Sequence, residues 1–237
     1  MTSARLARIP ASERGITLGD FLVPIRFDEW ASARQRDILL VIAGALLILA
    51  GAYISIPIPA IAIGEIYIPD TPYVPLTLQT FGVLFTGALL GARRGLAASG
   101  LYLALGAIGL PVFAAGSDGV HAAGLDTIAS MQDGRLVLGV TGGYLVAFIL
   151  AGAFVGRLAE LGWDRRLVGS TLAMLFGTVV IYVIGVPWLA IAANLSVDQA
   201  LHYGLFPFLP GDILKLVVAA GILPIGWRLV SRRDVDL

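Results

Sequence analysis

Between Ile38 and Pro57 the chain reads ILLVIAGALLILAGAYISIP, twenty residues without a charge. A helix needs about 20 mostly apolar residues to cross a bilayer core, so this run predicts a transmembrane helix. Four further apolar segments follow, Leu76–Ala92, Gly95–Val112, Leu136–Gly156 and Leu167–Ala192. A sixth, from about Gly211 to Trp227, is apolar apart from Asp212 and Lys215. The pattern predicts an all-α integral membrane protein, a bundle of six transmembrane helices. Pro57, Pro59, Pro69, Pro72 and Pro75 make the first connection an extended, non-helical loop. The expected organisation is an N-terminal arm at 1–37, a membrane domain at 38–228 and a tail at 229–237.

Charge orients the bundle. Arg5, Arg8, Arg14, Arg26, Arg34 and Arg36 precede the first span; Arg93 and Arg94 follow the second. Arg157, Arg165 and Arg166 fall between the fourth and fifth, and Arg228, Arg232 and Arg233 follow the sixth. In a six-span topology all of these share one side, and only Arg135 falls on the other. The positive-inside rule then places both termini in the cytoplasm. Glu65, Asp70, Asp118, Asp126, Asp133 and Asp198 lean outward. The arm lacks a signal-peptide apolar core and is read as cytoplasmic, lying on the anionic inner leaflet.

Composition narrows the function. Of 237 residues 58% are hydrophobic and 14% charged, against roughly 25% charged in a soluble domain. Sixteen basic and sixteen acidic side chains cancel, which argues against a nucleic-acid partner. With no cysteine and two histidines, His121 and His202, no metal site is expected. His121 is expected to be a solvated loop residue. No GxxxxGK[ST] occurs, so energy from ATP would have to come from another chain. No charged ring or filter motif suggests a channel. Intramembrane proteolysis lacks a second aspartate, or a serine–histidine pair, within the spans.

Asp212 and Lys215 are the polar residues that most need an explanation. A charge in the bilayer must be paired or wet, and i,i+3 spacing lets these two meet. The pair is either a self-neutralising unit at the outer interface or the polar centre of a binding site. Thr77, Gln79 and Thr80 open the second helix and Tyr144 the fourth; Trp188 and Asn194 close the fifth, and Phe113 follows the third. In this topology all converge on the outer third, around an apolar-walled pocket with a few polar groups.

Glycines at 87, 91, 95, 139, 143, 152 and 156 form GxxxG pairs, and the first helix carries Ala43, Gly44, Ala45, Ala50, Gly51 and Ala52. Such small residues mark either packing within the bundle or a face docked on another membrane protein. Gly91-Ala-Arg-Arg-Gly95 is expected to be a tight turn whose Arg93 and Arg94 serve topology or contact a partner.

Five strings in order resemble the BioY family: Val74-Pro-Leu-Thr-Leu-Gln-Thr80, Gly91-Ala-Arg-Arg-Gly95, Leu105-Gly-Ala-Ile-Gly-Leu-Pro-Val-Phe113, Thr141-Gly-Gly-Tyr144 with Phe148, and Phe208-Leu-Pro-Gly-Asp-Ile-Leu-Lys215. The resemblance implies a six-helix, biotin-specific S component of an energy-coupling-factor (ECF) importer; the lack of an organelle-targeting pattern points to a prokaryotic plasma membrane. The resemblance also implies that Asp212 accepts from the ureido N–H groups, that Lys215 supports the ligand or that carboxylate, and that Gln79, Thr80, Tyr144 and Phe113 line or cover the site. The implied partners are biotin, a membrane-embedded coupling subunit and ABC-type ATPases, with no cofactor of the chain's own. The expected docking face is the small residues of the first helix, although no clean Ala-x-x-x-Ala occurs there. A solitary or homo-oligomeric carrier is the variant reading. An intramembrane enzyme using Asp212 and Lys215 as an acid/base pair is the alternative from another class.

Overall fold

A computed structural model describes residues 17–22, 33–55, 61–63, 66–68, 76–116 and 119–233. The arginines at 5, 8, 14 and 26, the acids at 65, 70 and 118, and the prolines at 57–75 lie outside these residues. The described residues form a mostly helical protein. A short helix α1 (Leu18–Leu22) precedes α2 (Ala33–Tyr53), α3 (Gln79–Leu90), α4 (Ala92–Ala107), α5 (Gly142–Glu160), α6 (Leu167–Ala192), α7 (Val197–Gly204) and α8 (Leu209–Arg233). Two small antiparallel hairpins interrupt them: β1 (Ile61–Ile63) with β2 (Ile66–Ile68), and β3 (Ala129–Gln132) with β4 (Arg135–Leu138).

Among the described residues, four helical stretches are long and apolar enough to cross a membrane: Arg34–Tyr53, Gly142–Glu160, Leu167–Ala192 and Val197–Val230. Their outer faces carry exposed Ile38, Leu46, Phe154, Val183, Ile213 and Val217, the surface a lipid solvent demands. At twelve and sixteen residues, α3 and α4 extend only ~18 and ~24 Å.

Several boundaries differ from the sequence reading. The first span begins at Ala33, because Arg34 to Asp37 continue the helix as a polar first turn. The expected turn at Gly91–Gly95 is a single residue. Gly91 alone, at φ 84°, separates α3 from α4, so Arg93 and Arg94 sit in the first turn of α4. A cation there opposes the helix dipole, and carboxylates compensate: Glu160 Oε1 accepts the Ala92 N–H at 2.8 Å. The fourth span starts at Gly142 rather than Leu136, because Arg135–Leu138 pairs as β4. α7, with a Ser196–Gln199 capping box, is an element the sequence reading did not include. His121 is not simply solvated: its ring stacks on Tyr53 at 3.6 Å, and Nδ1 lies 2.7 Å from the Phe113 carbonyl oxygen.

The small residues divide. A Cβ at Gly87 would collide with the Gly152 carbonyl, and one at Gly156 with the Gly91 backbone, so these GxxxG faces are packed on each other inside the bundle. Gly44 and Ala45 are buried, with Gly44 against Thr86, Leu90 and Ala98. Ala43 and Ala50 point outward on an exposed face of α2.

One end of the bundle is basic. Arg36 and Arg94 both reach Asp20 Oδ1 at 2.7 Å, and Arg94 also meets Asp37 at 2.7 Å. At the same end Trp227 Nε1 donates to Asp164 Oδ2 at 2.6 Å, and the Arg165 guanidinium lies 4.6 Å over the Trp227 ring.

Candidate functional site

The opposite end holds a cluster built from three helices. α3 starts at Gln79, after a turn in which Thr77 Oγ1 accepts the Gln79 N–H at 3.1 Å, so Thr80 lies in its first turn. α8 starts at Leu209-Pro210-Gly211, an opening suited to proline, and carries Asp212 in its first turn and Lys215 one turn on. α6 supplies Met174, Thr178 and Tyr182 at i, i+4 and i+8, a single stripe on an otherwise apolar helix.

Lys215 Nζ donates to Asp212 Oδ1 at 3.2 Å and to Thr80 Oγ1 at 2.9 Å. The Tyr182 hydroxyl donates to Asp212 Oδ2. Asp212 is 6% exposed and Lys215 7%. The expected i,i+3 pair is therefore formed, and it is buried rather than snorkelling to the interface. Neither group is saturated by the contacts described. An ammonium has three donors and two are engaged; a carboxylate has about four acceptor sites and two are used. Both groups line a narrow cavity with Thr80, Phe81, Leu84, Met174, Thr178 and Leu216, of about 10 Å³, room for roughly one water. Apolar walls with a few convergent polar groups are the make-up of a small-molecule site.

The other expected residues are distributed around this centre. Gln79 points away from Thr80, its Nε2 donating at 2.8 Å to the Tyr102 hydroxyl, which in turn donates to the Val112 carbonyl. Phe113, 1% exposed, packs edge-on against Tyr102 at 5.7 Å. Gln79 and Phe113 thus share a second cluster that fixes the segment after α4. Tyr144 stands one ring from the cavity, edge-on to Tyr182 at 6.4 Å, with its hydroxyl on the Gly204 carbonyl at 2.8 Å. Trp188 packs on Gly143 and donates to the Gly139 carbonyl at 2.9 Å. Asn194 is exposed at φ 52°, in the left-handed position just past α6, where asparagine ends a helix. It does not line the cavity. Arg94 is held by Asp20 and Asp37, whereas Arg93 is exposed.

Sequence reasoning missed Tyr182 and Thr178. The available signal was their i,i+4 spacing, two polar tips on one face of a helix with no charge between Leu167 and Ala192.

This fold and site define a protein of membrane-type helices with a buried ion pair at a narrow cavity between three of them. The family model described as the BioY family matches residues 27–232. The biotin transporter BioY of Rhizobium etli is 34% identical over 208 residues, spanning 84% of this chain and 98% of that protein. That of Thermotoga maritima is 35% identical over 174 residues, spanning 73% and 85%. The crystal structure of an S-component for biotin from an ECF-type ABC transporter superposes with a TM-score of 0.62 at 26% identity, covering 82% of this chain and 93% of that one. The chain belongs to the BioY family. It is a transporter component and not an enzyme, so the acid/base alternative for Asp212 and Lys215 falls away.

Proposed function

We propose that the chain captures biotin in the cavity between α3, α6 and α8 and passes it inward as the S component of an ECF importer. The observation that carries this reading is the buried, incompletely engaged Asp212–Lys215 pair facing an apolar cavity. Asp212 accepts from the ureido N–H groups, and the remaining Lys215 donor meets a ligand oxygen. Phe81, Leu84, Met174 and Leu216 receive the sulfur ring. Gln79 and Phe113 act from behind, by holding the segment that follows α4, and Tyr144 positions Tyr182.

In this reading α2, α3, α4, α5, α6 and α8 all cross a prokaryotic plasma membrane, the short α3 and α4 being joined through Gly91. The basic end and both termini face the cytoplasm, by the positive-inside rule. A coupling subunit and ATPases energise reorientation, and the exposed Ala43–Ala50 face of α2 is the candidate contact. Saturable binding of biotin to the purified, monodisperse protein tests the function, with lipoate as a control that has a sulfur ring and a carboxylate tail but no ureido group. Binding of biotin without lipoate supports the reading. No biotin binding by folded protein overturns it.

A further inference from the structure

α1 lies N-terminal to the span matched by the family model, yet it is built into the basic end of the bundle. Leu18, 4% exposed, lies between two helices: a Cβ on Gly226 of α8 would sit 3.1 Å from its Cδ1, and a Cβ on neighbouring Gly19 would sit 2.9 Å from Leu90 Cδ2 and 2.7 Å from the Leu89 carbonyl oxygen of α3. Phe21 packs edge-on against Trp227 of α8 at 5.7 Å. Charge locks the element down. Asp20 Oδ1 takes Arg36 and Arg94, while Oδ2 accepts the Thr17 N–H at 3.0 Å and the Thr17 hydroxyl at 3.1 Å.

The helices bridged by α1 are the two that hold the cavity's ion cluster at their other ends. Thr80 and Leu90 are ten residues apart on α3, and Lys215 and Gly226 are eleven apart on α8, which is ~15 Å and ~17 Å. The α3–α8 seam is therefore fastened twice, by Thr80–Lys215 above and by α1 below, and Leu84 and Leu216 of the cavity lie between. α1 thus covers the basic end of the seam whose opposite end borders the cavity.

We propose that Thr17–Leu22 is an intramolecular clasp that keeps the cavity shut toward the basic end until it is displaced. The role of the clasp in import rests on the biotin reading; its effect on access to the cavity does not. The chain has no cysteine, so a single Leu84→Cys reports on the cavity directly. Sealed membrane vesicles of each orientation are treated with a membrane-impermeant maleimide, and the ratio of basic-end to opposite-end labelling rates is compared. The ratio rises at least tenfold when Leu18→Asp and Asp20→Asn are combined. Gly19→Val, which dislodges α1 by collision and leaves every charge in place, gives the same rise. An unchanged ratio in both overturns the clasp, and a global loss of structure raises both rates without raising the ratio. In the chain without Leu84→Cys, the two clasp variants release bound biotin at least fivefold faster. A native chain that binds no biotin removes the biotin reading and leaves the labelling ratio to decide the clasp.

Discussion

The two ends of this bundle use charge in opposite ways. At the basic end Asp20, Arg36, Arg94 and Asp37 form a partly exposed network in which Asp20 alone makes four polar contacts. Burial raises the Asp20 carboxyl, but the Thr17 backbone N–H and Arg94 outweigh it and hold the group below the usual carboxylate range. At the cavity end a deeper pair, Asp212 and Lys215, has fewer contacts on each charged group and borders a narrow cavity. With both oxygens engaged, the Asp20 carboxylate ties α1, α2 and α4 together. A buried pair with donor and acceptor capacity to spare carries a desolvation cost that further hydrogen bonds would offset, which is what the proposed binding role asks of it.

The sharpest way to break this contrast is to remove one partner of the buried pair. Lys215→Met leaves Asp212 uncompensated and destabilises the protein by about 3–5 kcal/mol, whereas Asp212→Asn with Lys215→Met recovers most of that loss. Neither binds biotin. Thermal unfolding in detergent, beside calorimetry, separates the two effects, and a double variant that binds normally would contradict the role of the pair. A smaller effect is expected from Tyr182→Phe. It removes one hydrogen bond to a charged group, about 1.5–3 kcal/mol, and weakens biotin affinity about 10- to 100-fold while the fold is kept.

The basic end also carries a pH signature. Burial pushes the Asp164 carboxyl up to about 6, against the Trp227 N–H and the Arg165 charge, which lower it. A folded value above the unfolded one favours the protonated form, so the contribution of Asp164 to stability is full at acid pH and is lost as pH rises between about 4 and 6, opposite in sign to that of Asp20. At about 1.4 kcal/mol per unit the loss is on the order of 2–3 kcal/mol. Asp164→Asn keeps an acceptor for Trp227 and flattens this slope, as melting curves at pH 4.5 and 7.5 would read. The smallest effect belongs to exposed Arg93: Arg93→Ala shifts stability by under about 0.5 kcal/mol, whereas Arg94→Ala, which empties two ion pairs, shifts it more.

Much of this was legible in the sequence, because a lipid solvent writes itself into composition. The bounds of α6 match the apolar run Leu167–Ala192, and the i,i+3 spacing of Asp212 and Lys215 gave their pairing. Errors arose where local composition had two structural meanings. Leu136 and Val137 are apolar in a strand as they would be in a span, and Arg93-Arg94 looks like a turn where one glycine at positive φ suffices. Tyr182 was hidden because a tyrosine inside an apolar helix looks like packing until α8 brings Asp212 to its hydroxyl. Spacing places residues on a face of their own helix, but it does not say which helix that face meets. That is also why Gln79 and Thr80, adjacent in sequence, serve separate clusters.

The central claim, that Asp212 reads a biotin ureido group in this cavity, is tested most directly by calorimetry of biotin against purified native protein and Asp212→Asn side by side. Saturable binding to the native protein that weakens at least 100-fold in a variant of unchanged melting temperature is the expected result. Equal binding by the two proteins would move the ligand out of the α3–α6–α8 cavity and contradict the account.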